Sequence, residues 1–263
     1  MTQLVLTQQR NHIFEIVLNR PDKRNAINMD MFAQFDAAVT QANRTPNLRA
    51  VVIRGEGKAF SAGIDVSNLL MLAEKYGLHW QQRMRRITDD FQAVLTRLER
   101  LELPTIALLH GFCLGMAMEI ALACDVRIAV EGTKLGLPES RLGMIPDVGG
   151  TTRLVRLVGP ARAKELIFTG RQISAAQAEA WGIVNYVVAE DELRDKADAL
   201  VAEICQAAPL AVGMAKRVID GLSDIDRGLQ LEGWAQSQLF NTADFMEGAQ
   251  AFMMKRAPEW QGR

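Results

Sequence analysis

Short runs of β-branched and other apolar residues alternate with helical segments through residue 130, and this alternation limits the possible folds most. A helix is predicted over residues 29–43. Strands are predicted over residues 12–19, 49–57, 105–113 and 125–130. Because strands that alternate with helices are joined by crossovers, they pair in parallel. The sequence therefore predicts an α/β fold with a mainly parallel sheet.

A long amphipathic helix is predicted between the second and third of these strands. Its apolar side chains recur at steps of four and three residues along one face: Trp80, Met84, Ile87, Phe91, Val94, Leu98 and Leu101. The arginines of this segment lie mostly off that face, so solvated charge is their simpler interpretation. From residue 160 the pattern is helical almost throughout. We therefore predict a core over residues 1–195 and a helical C-terminal region over residues 196–263 that packs on the core or on another subunit.

Composition excludes several classes of protein. Apolar residues make up 49% of the 263 positions and charged residues 23%, which is typical of a packed core and not of disorder. The net charge of -1 argues against binding to nucleic acid or to a membrane surface. The three cysteines contain no CxxC pair and the three histidines lack metal-ligand spacing, so neither a disulfide framework nor a metal site is predicted.

The N-terminal segment MTQLVLTQQRNHIFEIVLNR alternates apolar and polar residues, which is typical of a strand and not of a targeting segment. No apolar run approaches the length that crosses a bilayer. A soluble, cytoplasmic protein is therefore expected.

Three segments indicate chemistry. In the first, residues 55–69, the small side chains of Ser61, Ala62 and Gly63 let backbone approach a ligand, and a turn leaves amide N–H groups pointing outward. Taken alone, this segment is more simply an ordinary strand-to-helix loop.

The second segment, residues 110–125, places a carboxyl group inside an apolar helix. Gly111 and Gly115 precede the helix start, where unpaired N–H groups favour a developing negative charge. Glu119 has no basic residue within four positions on either side, so no ion pair within the helix neutralises it. Burial would raise its pKa, which is typical of working sites. The alternative is a distant ion pair with Arg127 or Arg153.

The third segment, residues 134–154, carries two more carboxyl groups. Glu139 follows Pro138 in a turn, and Asp147 precedes Val148 and two glycines. An Asp at such a place is most often a helix cap, so capping and chemistry both stay open for Asp147.

Together the three segments indicate one kind of chemistry. Two amide-bearing turns can grip one carbonyl oxygen while carboxyl groups move protons beside it. Each preorganised donor to an oxyanion contributes about 3 kcal/mol, and general acid–base catalysis adds ~10²–10⁴-fold. A thioester enolate fits these groups.

These residues resemble the crotonase superfamily, the enoyl-CoA hydratase/isomerase group. The resemblance rests on NRPDKRNAIN, KAFSAGIDV, HGFCLGMAMEIALACDVRIA, LPESRLGMIPDVGGTTRL and DFMEGAQAFMMKRAPEW, in the family order along nearly the whole chain. It implies a spiral of ββα units with a helical C-terminal trimerisation region, homotrimers or hexamers built as dimers of trimers, and an acyl-CoA thioester as substrate with no other cofactor.

The resemblance also implies roles for individual residues. The amides of Ile64 and Met116 would form the oxyanion hole, and Glu119 and Glu139 would hold the water for addition at C3, with Glu139 giving a proton to C2. The residues implied in CoA binding are Lys23, Ala26, Ala62 and Asp65, with Phe245 and Lys255 in the tail reaching the CoA of the same subunit or of a neighbour.

Two residues depart from the hydratase pattern, which usually has glycine at both positions. Met116 keeps the backbone N–H but narrows the pocket. Asp147 stands where related isomerases use an aspartate to shuttle a proton, so it either moves a proton or reshapes the acyl pocket.

Three functions follow, in decreasing order of support. Hydration of a trans-2-enoyl-CoA rests on Glu119 and Glu139, and double-bond isomerisation rests on Asp147 and Glu139. The third is a non-catalytic interaction or RNA-binding protein, which would need a basic face. The helix over residues 83–100 is the one candidate for that face, and its Asp89, Asp90 and Glu99 dilute the charge.

Overall fold

The computed structural model describes residues 3–66, 77, 79–222, 234, 236 and 238–263. The strands are β1 (Val5–Arg10), β2 (Ile13–Leu18), β3 (Ala50–Gly55), β4 (Thr105–Leu109), β5 (Phe112–Leu114), β6 (Val126–Val130), β7 (Lys134–Gly136), β8 (Ile173–Ser174) and β9 (Tyr186–Val188). The α-helices are α1 (Met29–Arg44), α2 (Met84–Glu99), α3 (Met116–Leu122), α4 (Gly150–Thr169), α5 (Ala175–Ala180), α6 (Leu193–Cys205), α7 (Pro209–Asp220) and α8 (Ala243–Met254). Short 3₁₀-helices span Pro21–Lys23, Trp80–Arg83, Pro138–Leu142 and Glu190–Glu192.

The larger sheet has six strands in the order β1-β2-β3-β4-β6-β9. β1 and β2 form an antiparallel hairpin, and each later strand joins its neighbour in parallel. Both faces are covered: α1, α2 and α3 pack on one, and α6 packs on the other through Ala197 and Val201. Burial on both faces explains why the strands are apolar runs. The mainly parallel sheet predicted from the sequence is confirmed.

The second sheet has three strands, β5-β7-β8, and the chain enters it directly after two strands of the larger sheet. β5 follows β4, and β7 follows β6; β5 and β7 pair in parallel. A helix comes after each strand pair, α3 after β4–β5 and α4 after β6–β7. Successive ββα units therefore stack as turns of a spiral.

The strand predicted over residues 105–113 is in fact two strands. β4 ends at Leu109, β5 begins at Phe112, and Gly111 between them has a φ of 61°. A Cβ atom on Gly111 would overlap the carbonyl oxygen of Lys58, so glycine lets the chain turn there into the second sheet. The apolar run hides this turn because buried residues continue across both strands.

The helical pattern predicted after residue 160 is interrupted by β8 and β9. These strands have two and three residues, too few to show an alternation of their own. The proposed division at residue 195 falls inside α6, and it stays a prediction. No single helix in the described ranges is long and apolar enough to cross a bilayer; α6 with its preceding turn and α7, bent by 105°, reach that composition only as a pair.

The amphipathic helix predicted over residues 80–101 is confirmed as a 3₁₀ turn followed by α2. Ile87, Val94 and Leu98 of its apolar face are buried, whereas Met84 at its start is partly exposed. The exposed Arg97 pairs with Asp36 of α1. The face that packs on the core also borders the cavity described next.

Candidate active site

Two backbone turns from successive units of the spiral lie side by side. The N–H of Ser61 donates to Phe112 O at 3.0 Å, and the N–H of Leu114 donates to Ser61 O at 3.3 Å. A Cβ atom on Gly63 would overlap the carbonyl oxygen of Leu114. The small residues after β3 are therefore needed for close contact with residues 112–114. Because of this contact, the segment after β3 is not simply an ordinary strand-to-helix loop.

The two residues whose amides are predicted to form an oxyanion hole, Ile64 and Met116, line the same cavity. Met116 is the first residue of α3, so its N–H has no carbonyl within the helix to bind. On either side of Ile64, Gly63 O accepts the N–H of Ile27 at 2.8 Å, and the N–H of Asp65 donates to Ile27 O at 2.9 Å. Among the described residues, neither the Ile64 nor the Met116 amide has an acceptor.

The cavity has a volume of about 250 Å³ and a mostly apolar wall. Three carboxyl groups, those of Glu119, Glu139 and Asp147, lie in it. The remaining lining residues are Met29, Ile64, Met84, Ile87, Phe91, Met116, Met144, Ile145 and Val148. The structure thus brings the three acidic residues and the two residues of the predicted oxyanion hole to the wall of one cavity.

Glu119 is held by backbone and not by a basic side chain. Its Oε1 accepts the N–H groups of Val148 at 2.9 Å and Gly150 at 2.8 Å, and the residue is 2% exposed. Loss of hydration raises the pKa of Glu119 to about 8, the amide of Gly150 opposes this rise, and the charges of Glu139 and Asp147 add to it.

The alternative ion pair for Glu119 is wrong. Arg127 donates to the carbonyl oxygens of Ile183, Ala121, Cys124 and Asp125, and Arg153 pairs with Glu99 at 2.8 Å. The carboxyl group of Glu119 is therefore without a basic partner in the described part of the chain.

Glu139 is the second carboxyl group of the cavity. It lies in the 3₁₀-helix Pro138–Leu142, and its Oε2 is buried without a hydrogen-bond partner. Burial raises the pKa of Glu139 to about 7, with a further contribution from Asp147. A Cβ atom on Gly115 would lie 3.0 Å from Glu139 Oε1, so glycine before α3 leaves room for this carboxyl group beside the Met116 amide.

Asp147 does not cap the helix that follows it, so that interpretation is wrong. The cap of α4 is Gly149, with a φ of 105° and no side-chain cap bond. Instead Asp147 Oδ2 accepts a hydrogen bond from Thr88 Oγ1 at 2.7 Å. Thr88, together with the amides of Val148 and Gly150, is a part of the site that the sequence did not indicate.

Four residues predicted to bind CoA lie together beside the Ile64 turn. The N–H of Ala26 donates to Lys23 O at 3.0 Å, and Ala62 N–H donates to Arg24 O at 2.9 Å. Arg20 joins the two segments through Ala26 O at 2.9 Å and the Asp65 carboxylate at 2.7 Å. Arg20 was not predicted, although the basic run NRPDKRN contained it.

The structure does not bring Phe245 and Lys255 to this cavity. Phe245 contacts Phe240, with ring centroids 4.5 Å apart, and lines a separate cleft with Trp260. Lys255 follows α8 and is exposed. Their roles in CoA binding stay predictions.

A larger cavity, of about 730 Å³, lies between α7 and the C-terminal end of α3. Several of its charged groups are paired: Lys216 Nζ lies 2.7 Å from Asp125 Oδ2, which also accepts the amide and the hydroxyl of Thr105. These contacts join structural elements. Of the residues that the structure describes, those of the smaller cavity carry the unpaired Oε2 of Glu139 and the free amides of Ile64 and Met116, so we place the candidate site there.

Burial of a protonated Glu119 predicts that stability falls as the pH rises from 4.5 to about 8. In this window the folded chain keeps a proton that the unfolded chain has released, so rising pH favours the unfolded chain. Glu119→Gln should remove this contribution, which changes the free energy of unfolding by on the order of a few kcal/mol across the whole pH window. Urea unfolding at several pH values measures it, with the exposed Glu131→Gln as control. An unchanged slope in Glu119→Gln would mean that Glu119 is already ionised at low pH.

Comparisons with known proteins show the family of this chain. The sequence pattern of the family described as enoyl-CoA hydratase/isomerase matches residues 8–263. The chain is 37% identical to a short-chain-enoyl-CoA hydratase of Clostridium acetobutylicum over 97% of its length and 96% of that protein. It is 38% identical to the human mitochondrial enoyl-CoA hydratase domain-containing protein 2, over 95% of its length and 86% of that protein.

A solved structure extends the agreement to the fold. The crystal structure of an enoyl-CoA hydratase from Bacillus anthracis superposes with a TM-score of 0.92, at 37% identity, over 99% of this chain and 100% of that one. The fold of this chain is thus shared with a solved structure over nearly the full length of both chains. This chain belongs to the enoyl-CoA hydratase/isomerase family of the crotonase superfamily.

Proposed function

We propose that this chain adds water to the double bond of a trans-2-enoyl-CoA, in the syn sense. The observation that carries the proposal is the pair Glu119 and Glu139, two carboxyl groups of raised pKa in one apolar cavity. Their pKa values lie near neutrality, where a group can both accept and give a proton. Hydration needs one group of each kind beside the same double bond.

The amides of Ile64 and Met116 would bind the thioester oxygen. Charge moves onto that oxygen when water adds at C3, and two fixed donors stabilise it without reorganisation. The water oxygen forms a bond to C3 while one carboxylate takes a water proton. Glu139, in its protonated form, gives a proton to C2, so the pair ends each turnover with the same number of protons.

The four residues beside Ile64, of which Lys23 is exposed and the others are half-buried, would hold the CoA part of the substrate. Lys23 supplies a positive charge at the surface, and the backbone at Ala26 and Ala62 borders the turn that carries the Ile64 amide. Asp65, paired with Arg20, fixes this turn. We further propose a homotrimer or hexamer, in which Phe245 and Lys255 reach the CoA of a neighbouring subunit.

Double-bond isomerisation is the second candidate, and one observation favours it. The Asp147 carboxylate shares the cavity with Glu139, so a proton could leave one carbon and return to another without water. Hydration ranks first because burial raises the pKa of both Glu119 and Glu139 toward neutrality, as proton transfer needs, whereas the Asp147 carboxylate accepts the hydroxyl of Thr88.

A paired assay separates the two candidates. We expect loss of enoyl-thioester absorbance with 2-enoyl-CoA substrates, and no conjugated-diene absorbance from a 3,5-dienoyl-CoA. Asp147→Asn should keep the rate of hydration within about tenfold, since it removes charge near the reacting carbons but no reacting group. Diene formation that Asp147→Asn abolishes, without water addition, would instead establish an isomerase.

A further inference from the structure

Two side chains of α2 contact the turn that precedes α4, and a third on the same face contacts the first turn of α4. Thr88 and Gln92, four residues apart, bind Asp147: Thr88 Oγ1 lies 2.7 Å from its carboxylate, and Gln92 Nε2 lies 2.6 Å from its carbonyl oxygen. Glu99, at the end of the helix, binds Arg153. Residues at this spacing share a helix face, so α2 presents them as one surface to the turn.

Arg153 links Glu99 of α2 to the turn, because it binds both Glu99 and the carbonyl oxygen of Val148. Its Nη2 and Nε bind Glu99 at 2.8 and 3.2 Å, and its Nη1 donates to Val148 O at 3.1 Å. The two side chains are 12% and 27% exposed, so water competes weakly for these bonds. Asp147 and Val148 are thereby fixed from the outside at three places.

On its inner side the same turn holds Glu119. The amides of Val148 and Gly150 are the hydrogen-bond donors to its Oε1. A Cβ atom on Gly150 would come within 2.9 Å of Glu119 Oε1, so the turn has little room to shift toward the carboxyl group. Any displacement of the turn therefore changes the two bonds that orient Glu119.

We propose that α2 positions Glu119 for proton transfer through this turn, with Thr88, Gln92 and the Glu99–Arg153 pair as positioning residues. The proposal deepens the proposed function, since it concerns the same carboxyl group. It also gives α2 a second task. Met84, Ile87 and Phe91 of this helix line the cavity, so the element that touches the acyl group also fixes the turn that holds Glu119.

The proposed effect of α2 on Glu119 arises from the position of the turn and not from the charge of Arg153. The charges that act on Glu119 are those of Glu139 and Asp147, from the 3₁₀-helix and from the turn itself. Arg153 is neutralised by Glu99 and faces away from the cavity, toward α2. Removing it is expected to alter Glu119 through the Val148 and Gly150 amides.

The test compares Arg153→Met and the milder Glu99→Gln with Arg97→Met. Arg97 also forms an ion pair from α2, with Asp36, but on the far side from the turn. We expect Arg153→Met to lower kcat for hydration on the order of 100-fold with little change in KM, the effect of about 1 Å of misplacement. Glu99→Gln should lower kcat less, and Arg97→Met should leave it unchanged.

A second readout does not depend on turnover. Infrared spectra, with the Glu119→Gln spectrum subtracted, report the protonated carboxyl group of Glu119. Weaker amide bonds disfavour the carboxylate, so its titration midpoint should rise by about one pH unit in Arg153→Met. A raised midpoint supports the proposal even if no hydration is found. An unmoved midpoint in a folded Arg153→Met, or equal effects of Arg97→Met, would overturn it.

Thr88→Val tests the proposal independently of Arg153. Thr96→Val is its matched control, because it makes the same change on the same helix away from the turn. Thr88→Val should lower kcat and raise the infrared midpoint in the same direction as Arg153→Met, whereas Thr96→Val should change neither. If Thr96→Val has the larger effect, α2 acts only as scaffold and the proposal fails. This pair also decides the question if Arg153→Met does not fold.

Discussion

Glu139→Gln is expected to lower the rate of water addition by about 10²–10⁴-fold, the usual contribution of a general acid or base. Glutamine keeps the shape of the side chain but cannot give a proton to C2. Glu119→Gln should cause a loss of similar size, because its amide cannot accept the water proton. The double variant should lose little more than either single one, since the two groups serve one step.

Steady-state rates with a 2-enoyl-CoA measure these losses. Glu131→Gln, an exposed change after β6, should leave kcat unchanged and serves as the control. Binding of a saturated acyl-CoA should persist in both active-site variants, because the oxyanion amides are untouched. Full activity in Glu119→Gln would exclude the two-carboxylate mechanism for this chain.

The second large effect concerns a backbone atom, the N–H of Met116. Proline has no N–H, and it is tolerated at the first position of a helix, the place that Met116 holds in α3. Met116→Pro should therefore keep the helix and lower kcat on the order of 10²–10³-fold, the value of one oxyanion donor.

Met116→Ala is the matched control for this substitution. It shortens the side chain as proline does but keeps the amide, so it should retain most of kcat and accept bulkier acyl groups. Circular dichroism and thermal unfolding verify that α3 persists in both variants. If both lose activity equally, the side chain of Met116 and not its amide supports the reaction.

Much of the fold was predictable because its long elements have clear periodicity. The strand over residues 12–19 and the helix over residues 29–43 match β2 and α1 closely. The short strands β5, β7, β8 and β9 were missed as separate elements. Each has only two or three residues, and sheet pairing with distant segments stabilises them more than local preference does.

Glu119 was the easiest site residue to predict, because an acidic side chain in an apolar helix without a nearby base conflicts with its surroundings. Asp147 shows the limit of this approach. Its local sequence is that of a helix cap, yet its carboxylate binds Thr88, 59 positions earlier in the chain. Contacts across such distances depend on the spiral, and no local pattern at Thr88, Gln92 or Arg153 records them.

The stacked units of the spiral each contribute different residues to the candidate site. Ile64 follows β3, Met116 and Glu119 follow β4–β5, and Glu139 and Asp147 follow β6–β7. Of these strands, β3, β4 and β6 are neighbours in the larger sheet. Neighbouring strands are about 4.8 Å apart, close to the spacing of reacting groups around a small molecule. The proposed oxyanion amides thus come from the first two layers and two of the carboxyl groups from the third. A change after β7 could therefore alter which carbon receives a proton while the amides that would bind the carbonyl oxygen stay in place.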